Sequence, residues 1–283
     1  MNSLPLGTQL EFKYRLTSNA SMIKMLSDGK AIPERKAWSY NALANSYFNR
    51  GVILQLLGEN ETADGAFNKV IPEAKNAIAY DLYENDDNRQ YVLFIYALLL
   101  CDKNQADESA SIIAKLGVSQ SRLNAPSEVY LALASLWLEK KDAVQALLPN
   151  IERIEQKKNE KYIKPGFVRT LKGILDKNLL QAIDGVNQLL EGHKHEAKYM
   201  KTALHRKNFI CEQVTILCIL ALRYGVDLKS EIEGEVTILK TKMESPIDRP
   251  EIPEKTKFEV PVDLIPEWVL APWRKEFKNE LNN

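Results

Sequence analysis

Glycine and proline are scarce in this chain of 283 residues, at 12 each. A β-rich fold of that length spends more of both on its turns, so the shortage points to helices. Cysteine is rarer still. Cys101, Cys211 and Cys218 are the only three, and none stands in a C-x-x-C spacing. All three sit in apolar runs, which reads as buried, reduced thiols of a cytoplasmic protein. Within one helix, Cys211 and Cys218 would lie about 10 Å apart along the axis, too far for a disulfide. Net charge is absent, because 38 Lys and Arg balance 38 Asp and Glu. That leaves none of the basic surplus with which a general nucleic-acid binder displaces counterions. No basic segment followed by an apolar core opens the chain, so no signal peptide is expected. The most apolar run, Phe209–Tyr224, contains Glu212, Gln213 and Arg223. It is too short and too polar to span a membrane.

Catalytic signatures are missing as well. G-x-S-x-G, Walker-type and G-x-G-x-x-G sequences do not occur, and no Cys–His pairing is evident. The three histidines, His193, His195 and His205, invite a metal reading with Glu196. Residues two apart on a helix point to different faces, however, and no Cys or Asp completes a tetrahedral set. His193 reads instead as a residue near a helix C-terminus, where an imidazole meets exposed carbonyls. The sequence thus predicts a protein without cofactor or metal, and not an enzyme.

What the chain does carry is helical periodicity. Residues 1–20 read as irregular, with a short amphipathic piece around Gln9–Leu16, and a helix over Ala20–Leu26 stops at Asp28-Gly29. Pro33 opens the next helix, where its missing N–H costs nothing. Trp38, Leu43, Tyr47, Val52, Leu54 and Leu57 recur along it, and Gly58 ends it. A return helix begins with Ala63, Phe67 and Val70 and is interrupted near Pro72. Tyr47, Gly51, Leu54, Gly58, Ala63, Phe67 and Val70 have the spacing of a tetratricopeptide hairpin, in which small residues let two helices close and an aromatic fills the gap. Weaker pairs follow at Tyr91–Cys101 with Ala106–Leu116, and at Ser127–Glu139 with Ala143–Glu155. Their repeat is about forty residues rather than thirty-four, so the hairpins are degenerate.

Gln156–Lys164 is a charged linker. Val168–Glu191 reads as one helix ended by Gly192, and Phe209–Tyr224 as the helix the others pack around. The tail from Met243 holds Pro246, Pro250, Pro253, Pro261, Pro266 and Pro272, so it cannot be one continuous helix. Its Phe258, Val260, Leu264, Ile265, Trp268, Val269 and Trp273 suit an ordered arm. The expected fold is all-α, with degenerate helical hairpins of the α-solenoid or tetratricopeptide-like kind around a buried C-terminal helix. Residues 1–242 form one domain, with a subdivision available near 156–165, and 243–283 form a Pro-rich tail packed on the helices.

Two charged stretches remain. Lys194, His195, Lys198, Lys201, His205, Arg206 and Lys207 with Tyr199 form a basic segment that could meet phosphate, but no second basic stripe supports it and a solvated connector is the plainer reading. The acidic stretch Asp81, Glu84, Asp86 and Asp87, with Tyr80 and Tyr83, suits capture of a basic protein surface by charge steering and an aromatic anchor. The plainer reading of that stretch is a polar loop between helices.

The early aromatic helix from Trp38 to Phe48, the LLEGHKHE corner with His193, the helix ending LALRYGVDL and the late IPEWVL segment (Ile265–Leu270) together resemble the immunity protein 49 family of bacterial polymorphic toxin systems. The resemblance implies an all-α cytoplasmic protein that binds and neutralises a cognate protein toxin by occlusion. The alternative from the hairpins alone is a tetratricopeptide-like adaptor that holds a peptide or protein in a concave groove. Such an adaptor would line its first helices with Asn, Lys and Arg, whereas Tyr91–Cys101 and Ser127–Glu139 are mostly apolar. Spare apolar helix faces are also compatible with a homodimer.

Overall fold

The computed structural model describes residues 6–30, 32–81, 87–118, 127–157, 163–197, 209–244 and 257–282. Among the described residues the fold is all-α apart from one two-stranded sheet. By its contacts the chain divides into two compact units that are interleaved in sequence. Unit 1 takes Met1–Arg89, Ala197–Phe209 and Leu239–Val262, and unit 2 takes Gln90–Glu196, Ile210–Ile238 and Asp263–Asn283. The helices on either side of the Gln156–Lys164 linker both belong to unit 2.

In unit 1, α1 (Leu6–Gly29), α2 (Lys36–Leu57), α3 (Asn60–Phe67) and α4 (Val70–Ala79) follow one another, and α2 is the helix the other three pack on. The hairpin spacing in the sequence is realised here. Gly58 adopts φ 79°, and the N–H of Glu59 reaches back to the carbonyl of Leu54 at 2.9 Å, a left-handed helix stop. Gly51 faces the ring of Phe67 so closely that a Cβ on it would lie 2.3 Å from Cε1. Phe67 also packs on Phe48, with ring centroids 5.8 Å apart. The interruption of the return helix falls at Asn68-Lys69. Pro72 instead sits in the first turn of α4, where its missing N–H is harmless.

The helix expected over Ala20–Leu26 is 24 residues long and begins at Leu6. Its Thr-Ser-Asn-Ala-Ser stretch has poor intrinsic helicity and hides the pattern. Tertiary contacts override that: Arg50 donates to the Leu16 carbonyl at 3.1 Å, and Asn19 donates to the Ser46 carbonyl at 3.3 Å.

Unit 2 is built on the hairpins α5 (Asp87–Leu99) with α6 (Lys103–Leu116), α7 (Ser127–Trp137) with α8 (Lys141–Glu155), and α9 (Phe167–Leu175) with α10 (Leu179–Ala197). The single helix expected over Val168–Glu191 is therefore two. The chain turns at Lys177, in the left-handed region at φ 51°, and Asn178 caps the N–H of Gln181 at 3.1 Å. The two helices close on small residues, because a Cβ on Gly173 would lie 2.5 Å from the Ala182 nitrogen and one on Gly185 2.4 Å from Thr170 Oγ1. Gly192 does not end α10, which continues to Ala197.

The apolar run after Phe209 becomes α11 (Glu212–Arg223), in which every residue from Val214 to Leu222 is buried. It lies against α7 and α9, the first helices of their hairpins, and against the tail helices α13 (Glu267–Glu276) and α14 (Lys278–Leu281). A four-residue turn of helix, α12 (Gly234–Thr237), leads into β1 (Ile238–Glu244), which pairs with β2 (Lys257–Asp263). Among the described residues the Pro-rich tail, expected as an ordered arm, is strand and helix. Its last part docks through Val269, Leu270, Trp273 and Phe277, all buried. Trp273 meets Trp137 edge-on at 5.3 Å, and its indole N–H donates to the Leu98 carbonyl at 2.7 Å. Lys229 pairs with Asp263 at 2.5 Å and Arg274 with Asp227 at 2.5 Å.

Two tests follow from this packing. Gly51→Ala is expected to lower stability by about 1–3 kcal/mol in urea denaturation, because the buried Phe67 ring must shift from its place beside Phe48. Trimming the ring in a Gly51→Ala/Phe67→Leu pair should recover part of the loss, and equal costs for single and double variants would discount the contact. The second test concerns Glu155, which accepts the Val168 N–H at 3.2 Å and so caps α9 from the end of α8. Burial raises its carboxyl above the ordinary range, only partly offset by backbone N–H bonds from Val168, Phe167 and Gly166. A raised folded-state value means that the contribution to stability is greatest on the acid side and is lost as pH rises through it. Any advantage of Glu155→Gln over the wild type at pH 7 should therefore shrink towards about pH 4. A gap that is flat with pH would count against the assignment.

Candidate protein-binding site

The acidic, tyrosine-bearing stretch falls at the end of α4 in unit 1. Tyr83, Glu84 and Asp86 lie outside the described residues. Asp87 opens α5, and its side chain is likewise outside the description. Tyr80 and Asp81 are placed in full, and their surroundings differ sharply.

Tyr80 follows the last residue of α4 and keeps 42% of its surface exposed. Its ring stacks on Tyr40 of α2, with centroids 5.3 Å apart and planes 8° from parallel. The Lys36 ammonium stands 3.6 Å from the Tyr80 centroid, and that of Lys30 stands 4.6 Å from the Tyr40 centroid. Lys30 in turn pairs with Glu73 of α4 at 2.9 Å. The result is a ladder from Glu73 through Lys30, Tyr40 and Tyr80 to Lys36. Each cation–ring contact at such a partly exposed place is worth about 0.5–1 kcal/mol.

Asp81 is turned to internal use. Arg89 Nε donates to it at 2.6 Å, and Arg89 Nη1 donates to the Ala37 carbonyl of α2 at 3.0 Å. Both side chains of the pair are largely buried, at 17% and 10% exposed. Within unit 1, Arg89 thereby ties Asp81, just past α4, to the start of α2.

The other candidates resolve differently. His193 is buried on α10, and Glu196 pairs with Lys164 at 2.5 Å. Lys194 pairs with Glu191 at 3.6 Å, and His195 is exposed. The rest of the basic segment, Lys198, Tyr199, Lys201, His205, Arg206 and Lys207, lies outside the described residues. Among the described residues no group of three or more His, Cys, Asp or Glu is placed to hold a metal ion. No helix among them is long and apolar enough to cross a membrane. Cys211 and Cys218 are buried, whereas Cys101 is only half-buried, in a turn at φ 55°. Burial, with Glu276 and Asp102 nearby, pushes its thiol up to about 11, so the nucleophilic thiolate is rare at neutral pH.

One surface feature escaped the sequence reading. Trp38, counted there among the apolar positions of its helix, is 58% exposed, and Met22 and Met25 on α1 are exposed as well. The two methionines are three residues apart and so share a helix face. A lone Trp in a helical apolar pattern gives no sign of which side of the stripe it falls on.

No family model matches the chain, and no curated protein or solved structure matches it. Removing the Arg89 guanidinium tests the geometry directly. Arg89→Met is expected to cost about 1–3 kcal/mol in urea denaturation, since a largely buried ion pair and the bond to the Ala37 carbonyl are lost together. Arg89→Lys should cost less, and an unchanged midpoint in both would show that the fastening carries no weight.

Proposed function

We propose that this chain is an immunity protein: it binds a cognate bacterial toxin in the cytoplasm and neutralises it by occlusion, without cofactor and without catalysis of its own. The observation that carries the reading is Tyr80, an exposed aromatic held rigid by its stack on Tyr40 beside a charged stretch. Aromatic residues of this kind anchor protein interfaces, because they present a large contact area with few rotamers to freeze. The resemblance at Trp38–Phe48, LLEGHKHE, LALRYGVDL and Ile265–Leu270 supplies the nature of the partner.

The adaptor reading needs an open concave surface on the first helices of the hairpins. In unit 2 the faces of α7 and α9 are met by α11, so that surface is taken up by the chain itself. This favours a partner that docks on an outer face.

Co-expression with the product of the adjacent upstream reading frame tests the proposal. Rescue of growth from a toxic neighbour, together with a stable one-to-one complex on purification, is the expected outcome. A neighbour that is not toxic and does not co-purify would overturn the reading and turn attention to peptide-bearing partners.

A further inference from the structure

We propose that the outer edge of β1, from Lys240 to Glu244, takes an extended segment of the protein partner as a third strand of the sheet. The inference rests on the reading of the chain as a toxin-binding protein, and it names the backbone that holds the partner.

The register of the two strands fixes which groups point outward. The N–H of Leu264, one residue past β2, donates to the carbonyl of Thr237, one residue before β1, at 2.8 Å. The end of β2 thus lies beside the start of β1, and the pairing is antiparallel. Both strands are 7 residues long, so Ile238 stands opposite Asp263 and Glu244 opposite Lys257. Burial agrees with this register. Leu239 and Val262 are opposite and both buried, and Lys240 and Pro261 are opposite and both exposed. Along an antiparallel strand, successive residues turn their N–H and C=O alternately toward the neighbouring strand and away from it. Thr237 bonds toward β2, so Leu239, Thr241 and Met243 do as well, while Ile238, Lys240, Lys242 and Glu244 turn outward. The N–H of Ile238 agrees with this direction, since it donates to the Glu235 carbonyl of α12.

The two outer edges are not equivalent. In β2 the outward residues are Lys257, Glu259, Pro261 and Asp263, and Pro261 has no N–H to offer. A strand added there would lose a bond within its ladder. In β1 the outward row from Lys240 to Glu244 has every donor and acceptor in place, and among the described residues none of these backbone groups is bonded elsewhere. Such a row is a template for an extended chain, whose own main chain supplies the affinity. A second copy of the same strand fits poorly. In the two-fold registers centred on Lys240, Thr241 or Lys242, a lysine of one copy falls directly opposite a lysine of the other, which is destabilising. The occupant is therefore a strand of different sequence, supplied by the protein partner.

The test is amide hydrogen exchange resolved to single residues, on the full chain alone and in complex with the purified toxin from the co-expression experiment. In the free chain the amides of Lys240 and Lys242 are expected to exchange quickly and those of Leu239 and Thr241 slowly. In the complex Lys240 and Lys242 should slow by about tenfold or more. Calorimetry then separates backbone from side chain. Lys240→Pro removes an outward N–H without touching the β1–β2 ladder and should weaken binding about tenfold or more, whereas Lys240→Ala keeps the N–H and should stay within about threefold of wild type. Slow exchange of Lys240 and Lys242 in the free chain would overturn the proposal, because the edge is then already covered, by the chain itself or, if light scattering shows a dimer, by a second copy. Unchanged exchange in a complex that does form would overturn it too, as would wild-type affinity in Lys240→Pro or equal losses in the two variants. Circular dichroism melting checks folding, and exchange in the wild-type complex decides should Lys240→Pro be unfolded. Absence of any complex with the wild-type chain is a separate outcome: it defeats the toxin-binding reading and this docking edge with it.

Discussion

Nine consecutive residues of α11, Val214 to Leu222, are buried, and most of unit 2 is a consequence of that fact. A surface helix needs only one apolar stripe, whereas a helix buried all round must be met from every side. The chain supplies the sides in turn, with α7 and α9 from the hairpins and α13 and α14 from the tail. The polar group inside that run is accommodated too, since the Thr215 hydroxyl donates to the Leu264 carbonyl at 3.4 Å, which also receives the Cys211 N–H at 2.8 Å. The tail cannot be an appendage under this constraint. It carries Leu264, Leu270 and Trp273 into full burial because α11 leaves a side for them to cover.

Unit 1 follows a different economy, in which charge is settled locally. The chain as a whole has no net charge, and that zero says nothing about any one corner of its surface. Around α2 the pair Lys30–Glu73 ties the segment after α1 to α4, and Arg89, paired with Asp81, also bonds the Ala37 carbonyl of α2. The Tyr40–Tyr80 stack sits at the centre of this arrangement and joins α2 to the end of α4 without any charge of its own.

The sequence made the hairpins legible because their signals are local. Gly51, Gly58 and Phe67 each have a contact or a dihedral that a different residue would spoil, and all lie within one turn of helix of the hairpin corner or pack directly across it. Asp102 is also a local signal: its carboxylate caps the Gln105 N–H at 3.0 Å and starts α6 at Lys103, ahead of the Ala106 expected. Features fixed by distant partners were not legible. The middle of α1, at Leu16 and Asn19, is held by Arg50 and Ser46, which lie 34 and 27 positions away. The break at Lys177 falls inside an unbroken apolar periodicity, since Leu175 and Leu179 keep the four-residue spacing across it. The strand β2 does carry a local signal, the period-two alternation of Phe258, Val260 and Val262, but Pro261 stands inside it and its partner β1 has three polar or charged residues in a row at Lys240–Lys242. At the site, exposure of a tyrosine near acidic residues was foreseeable. That its neighbour Asp81 would be paired internally, and that Lys36 would lie over its ring, depends on how α2 meets α4.

The interleaving of the two units bears on how the chain emerges from the ribosome. Trp273 closes on the Leu98 carbonyl across 175 residues. At roughly 5–20 residues per second, the hairpins of unit 2 wait about 9–35 s for that residue to be synthesised. For the first part of this interval the apolar faces of α7 and α9 lack α11, and once α11 is made it still waits for α13. A nascent chain of this kind is a substrate for chaperones that shield exposed apolar surface, and it gains its final fold only near the end of translation. Messages truncated before the codons of α13 would yield aggregation-prone polypeptide rather than a smaller working protein.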